Sequence, residues 1–144
     1  MQDSQTLISN FISKCKEHSL SVTPQRLAIY KSLINDKSHP NPECVYNSIK
    51  SDFPTISLAT VYKTLETFEK VGIISVVTPL HETVRYDAEM DHHHHVVCVR
   101  CKKVIDIIDP ELDKIQIPQN VLNNNKLLDY SIHFNVICTD CRAA

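Results

Sequence analysis

Two Cys-x-x-Cys pairs, Cys98-Val99-Arg100-Cys101 and Cys138-Thr139-Asp140-Cys141, constrain this chain more than any other feature, because four thiolates drawn to one point dictate how its C-terminal half can fold. The pairs are separated by 36 residues, from 102 to 137. A two-residue interval lets a turn aim both sulfurs of a pair at one ion. Two such pairs make the closed tetrahedral site that Zn²⁺ takes in structural roles. The competing reading is a pair of redox-active motifs. A thioredoxin-like site, however, opens a helix after a strand, whereas both pairs here lie at predicted strand ends. A closed sulfur site offers no open position, so one Zn²⁺ per subunit is expected to supply folding energy rather than catalysis. Cys15 and Cys44 stand alone on predicted helices and read as ordinary buried residues.

A staple of this kind suits the size of the chain, since 144 residues give one medium domain or two very small ones with modest cores. With 42% hydrophobic and 22% charged residues and no apolar run near 18 residues, a soluble globular protein without a membrane partner is expected. Residues 1–10 lack the basic start and apolar stretch of a secretory signal, which predicts a cytoplasmic protein with reduced cysteines. The formal net charge is -2, and neither half is basic: 8 Lys+Arg face 8 Asp+Glu up to residue 84, and 7 face 9 beyond it. Charge therefore gives no support for a nucleic-acid partner, and pattern has to carry that case.

Residues 4–18 space Leu7, Ile8, Phe11, Ile12 and Cys15 as an amphipathic helix that stops near Ser19. Thr23-Pro24 and Asn41-Pro42-Glu43 each pair a capping side chain with proline at the first helical position, predicting helices to about Asn35 and to Phe53-Pro54. Ser57 caps a fourth helix with Leu58, Val61, Leu65 and Phe68 inward, closed by Gly72, the only glycine. Extended runs at 73–78 and 83–86, joined by Pro79-Leu80-His81-Glu82, complete a winged helix. Beyond the candidate hinge at 90–94 come strands at 96–99 and 104–108, a helix beginning at Asp109-Pro110, and a strand at 128–137. The fold class is α+β.

His92 to His95 are four consecutive histidines. In an extended segment their side chains alternate, so His93 and His95 share one face and His92 and His94 the other. Asp87 precedes the run and Asp106 lies on the next predicted strand. Histidine nitrogens with carboxylate oxygens suit Fe²⁺, Mn²⁺ or Zn²⁺, a harder donor set than the sulfur site. A solvated linker is the plainer alternative.

Thr23-Pro24-Gln25-Arg26, His39-Pro40, Ser57-Leu58-Ala59-Thr60-Val61-Tyr62, Arg85-Tyr86-Asp87, the histidine run and both Cys-x-x-Cys pairs occur in an order that resembles the ferric uptake regulator family along nearly the whole chain. The resemblance implies a winged-helix DNA-binding domain at 1–84, a hinge contributing metal ligands at 85–94, and a dimerisation and structural zinc domain at 95–144. It implies a homodimer on a double-stranded DNA operator, switched by one Fe²⁺ or Mn²⁺ per subunit at His39, Asp87, His93, His95 and Asp106. Iron-sensing members usually carry Glu at the last of these positions and peroxide-sensing members Asp. The peroxide-responsive branch is therefore expected, with His39 or His93 as the oxidised ligand. The alternative is an iron or zinc uptake regulator without peroxide sensing. DNA contacts fall on Ser57, Thr60, Tyr62 and Lys63. The basic residue that relatives send to the minor groove is replaced by Ser21. A second metal site of some members falls on His92, His94, Asp113 and position 130, which is Tyr here; His133 is the nearest substitute. A zinc enzyme is not expected, because His81-Glu82-Thr83 is out of register for a deaminase. A metal-storage protein would not need Tyr62 and Lys63 on a fourth helix.

Overall fold

A computed structural model describes residues 3–77 and 84–144, and the chain divides into two compact units, Met1–Asp91 and His92–Ala144. The predicted hairpin turn at Pro79-Leu80-His81-Glu82 lies outside the described residues.

The first unit is built from four helices, each begun by a side-chain cap. These are α1 (Ser4–Glu17), α2 (Pro24–Asn35), α3 (Pro42–Ile49) and α4 (Leu58–Lys70). Asp3, Thr23, Asn41 and Ser57 accept from the backbone amides of Thr6, Arg26, Cys44 and Thr60, satisfying donors that a helix N-terminus otherwise leaves unpaired. Two helices end alike. Gly72 takes φ +76°, its amide reaches Glu69 and the Ile73 amide reaches Phe68, forming a Schellman turn after α4. Ser19, at φ +55°, does the same after α1 with bonds to Lys16 and from Leu20 to Cys15.

The inward faces meet in one aromatic and aliphatic core. Phe11 stacks on Tyr30 at 4.4 Å between centroids and meets the edge of Phe68 at 5.4 Å, with Ile29, Val45, Val61, Leu65 and Ile74 buried around them. Strands β1 (Ser75–Val77) and β2 (Arg85–Asp87) pair antiparallel, Val76 opposite Tyr86, and complete the winged helix. Cys15 is buried as expected, but Cys44 is exposed: it occupies the third residue of α3, on the side away from buried Val45 and Ile49.

The second unit is a three-stranded sheet in the order β4-β3-β5, from β3 (His94–Cys98), β4 (Val104–Ile107) and β5 (His133–Val136). β3 pairs antiparallel with β4 and parallel with β5, placing His95 between Asp106 and His133. The helix expected from Asp109-Pro110 is not formed as one element. Pro118 lacks an amide donor and disfavours helical geometry at Ile117, so the segment is cut into a 3₁₀ turn at Leu112–Lys114 and α5 (Gln119–Leu122). A last short helix, α6, spans Thr139–Ala143.

Candidate metal centres and DNA-facing helix

Each Cys-x-x-Cys pair sits where a β-strand ends. Cys98 closes β3, a turn returns the chain through Cys101 to β4, and Cys138 follows β5 as the residue before α6, which carries Cys141. The sulfurs of Cys98 and Cys141 are 3.8 Å apart, and those of Cys101 and Cys138 3.7 Å. Four bonds of about 2.3 Å in a tetrahedron separate sulfurs by about 3.8 Å. No disulfide links them, and the cluster can hold an ion such as Zn²⁺. Backbone amides, foremost that of Cys138 at 3.4 Å, lower the Cys98 thiol to about 5, while the neighbouring sulfurs, foremost Cys138, push Cys141 up to about 12. A set of thiols that resists full ionisation is what a divalent cation relieves.

In the first unit, His39 and Asp87 form a buried pair, Nδ1 to Oδ2 at 3.6 Å. His39 lies just before α3 at φ +59°, and Asp87 ends β2. The other Asp87 oxygen accepts the Glu89 amide at 2.8 Å, which fixes the carboxylate plane. Arg85 ties the His39 loop to β2 by donating one guanidinium nitrogen to the carbonyls of Ser38 (3.2 Å) and His39 (3.3 Å).

In the second unit, His93 and His95 share a face. Their Nε2 atoms are 3.1 Å apart, and Asp106 Oδ1 stands 3.6 Å from the first and 3.4 Å from the second. Two bonds of about 2.1 Å at a right angle set donors about 3 Å apart, so the imidazoles suit one ion. Asp106 reaches them because it pairs across the sheet with His95.

His92 and His94 face the other way, both toward Asp113 Oδ1, at 3.0 and 2.8 Å. Tyr130 does not add a ligand to this cluster, because its hydroxyl donates to the Leu112 carbonyl at 2.9 Å. His133 belongs elsewhere. It stacks on His95 at 5.0 Å and its Nε2 pairs with Ser131 Oγ, while burial and the nearby His95 and His94 lower its pKa. Asp129, 3.4 Å from His92 Nδ1, was not anticipated from the sequence, since no spacing rule links it to the histidine run.

On α4, Val61, Leu65 and Phe68 are buried, while Ser57, Thr60, Tyr62 and Lys63 are all exposed along its N-terminal half. These are the residue types that meet phosphates and base edges in a groove. Arg26, close to Ser21 in space, spends its guanidinium on the Ser21 carbonyl at 2.8 Å.

The family model of the ferric uptake regulator family matches residues 17–135. The chain belongs to the ferric uptake regulator family. The peroxide-responsive repressor PerR of Staphylococcus saprophyticus is 32% identical over 136 residues, covering 94% of this chain and 91% of that protein. Among solved structures, the Helicobacter pylori ferric uptake regulator Fur, described as having three functional metal-binding sites, superposes with a TM-score of 0.78. It is 27% identical, covering 98% of this chain and 95% of its own. The Campylobacter jejuni peroxide stress regulator has a TM-score of 0.71 at 32% identity, covering 98% and 100%. Ferric uptake regulators are metal-responsive transcriptional regulators, and this member folds as two compact units.

Proposed function

We propose that this ferric uptake regulator is a peroxide-responsive repressor. Its homodimer binds a double-stranded operator when His39, Asp87, His93, His95 and Asp106 jointly hold one Fe²⁺ or Mn²⁺ per subunit. The observation that carries this reading is Asp106, whose short carboxylate stands beside His93 and His95 where iron-sensing relatives usually have the longer Glu. Two of the five ligands come from the first unit and three from the second, so one ion couples them and can bias the DNA-binding arrangement. Fe²⁺ held by these residues would supply the redox catalysis that splits the O–O bond of hydrogen peroxide. In the net reaction the imidazole of His39 or His93 would gain one peroxide oxygen while the other leaves as water, the histidine being oxidised by two electrons and the peroxide reduced by two, whereas Mn²⁺ would support repression without that chemistry. Oxidation removes a ligand lone pair, and with it the clamp.

The second ion in this reading is one Zn²⁺ per subunit on Cys98, Cys101, Cys138 and Cys141. It holds the ends of β3 and β5 together and leaves no position open to peroxide. DNA is met by α4 through Ser57, Thr60, Tyr62 and Lys63, with the protein acting in the cytoplasm.

The test is peptide mass spectrometry of the Fe²⁺-loaded protein after peroxide. An added oxygen on His39 or His93, absent from the Mn²⁺-loaded control, is expected. Unmodified histidines overturn the reading. The similarity to the Helicobacter pylori Fur fold favours a second reading, an iron or zinc uptake regulator, and in that case peroxide leaves both histidines intact.

A further inference from the structure

The histidine run presents a second group of donors on the opposite face of β3: His92, His94 and Asp113. Its hydrogen bonding fixes which nitrogen of His94 carries a proton. The Ile132 amide donates to His94 Nδ1 at 3.0 Å, so Nδ1 offers a lone pair and the neutral ring holds its proton on Nε2. That proton points at Asp113 Oδ1, 2.8 Å away. A metal-bound histidine is arranged in reverse, ligating through one nitrogen while the other donates its N–H to a carbonyl or carboxylate.

The surroundings agree. Both nitrogens of His92 face carboxylates, Asp113 at 3.0 Å and Asp129 at 3.4 Å. Tyr130 packs its ring edge on His92 at 5.3 Å and gives its hydroxyl to the Leu112 carbonyl. His94 is fully buried. Turning it to coordinate an ion strands the Ile132 amide, and one orphaned donor weakens binding by on the order of tenfold to a hundredfold.

We infer that His92, His94 and Asp113 form a metal-free hydrogen-bonded strut that ties the Leu112–Lys114 turn and the segment entering β5 to β3, and that each subunit binds two divalent ions. The Helicobacter pylori Fur is described as having three. The count of two rests on the regulatory site proposed above; the strut does not.

The test uses the full-length ¹⁵N-labelled protein. Long-range ¹H–¹⁵N spectra of His94 are recorded before and during a Zn²⁺ titration, and bound zinc is counted for the wild type and His94→Gln. The strut predicts an Nε2–H tautomer of His94 throughout and equal zinc counts in both proteins. A switch to the Nδ1–H tautomer with a metal-shifted Nε2 overturns it, as does a zinc count one lower in His94→Gln. If that variant does not fold, the wild-type tautomer alone decides. A count of one zinc per subunit with His94 unchanged upholds the strut and removes the regulatory reading instead.

Discussion

His39 holds a left-handed backbone conformation, φ +59°, that a non-glycine residue keeps only at a cost of about 1–3 kcal/mol. What holds it is Arg85, bonded to the carbonyls of Ser38 and His39, together with the Tyr86 amide on the Pro40 carbonyl. Arg85 is thereby a positioning residue for a proposed ligand that it does not itself join. Arg85→Ala is expected to lower Mn²⁺ affinity about tenfold, the loss of a charge-assisted hydrogen bond, with zinc content unchanged, as read by Mn²⁺ EPR titration. At the sulfur site the sign of the pH effect follows from two cysteines. Cys98, lowered to about 5 by backbone amides, is a thiolate at neutral pH, whereas Cys141, raised to about 12 by its sulfur neighbours, still carries a proton that zinc must displace. Zinc binding therefore releases protons, and affinity falls about tenfold per pH unit downward for each proton displaced. Proton release measured in weak buffer checks this; none released contradicts a thiolate site. The ligand types and the alternation of the histidines were legible in the sequence, because period-two geometry depends only on the strand. The role of Tyr130 was not: nothing near it in the chain announces the Leu112 carbonyl as its partner.

Elements whose limits are set locally were readable. Thr23-Pro24, Asn41-Pro42, Ser57 and Gly72 fix helix ends through bonds that reach only a few residues, so α2, α3 and α4 begin where the capping pattern puts them. The segment after Asp109-Pro110 was misread because the helix-start signal there was followed past Pro118, whose ring and missing amide interrupt a helix; Ile115 and Val121 remain exposed. α4 is buried on one side by Val61, Leu65 and Phe68 and presents Tyr62 and Lys63 on the other. Lys63→Ala is expected to weaken DNA binding and reduce the slope of log affinity against log salt by about 1, with helix content by circular dichroism unchanged. An unchanged slope would mean that Lys63 meets no phosphate.

At the scale of the molecule the two units differ in how they are stabilised. The continuous buried core lies wholly in Met1–Asp91, whereas among the described residues of His92–Ala144 the buried apolar side chains are few, Val97 and Val104 beside Cys98. Ile105, Ile108, Leu128 and Phe134 are exposed in the second unit; the proposed homodimer would cover part of this apolar surface, and Zn²⁺ on the four cysteines would add the remaining staple. Charge remained silent on function, and the proposed DNA recognition by a few residues of α4 in a dimer needs no strongly basic domain. The central claim is that one ion per subunit, shared by both units, both enables DNA binding and carries its own off-switch. Its most direct test is fluorescence anisotropy on a DNA duplex selected from random sequence by the Mn²⁺-loaded protein. Peroxide is predicted to release that duplex from the Fe²⁺-loaded protein while the Mn²⁺-loaded protein retains it; retention by both forms contradicts the account.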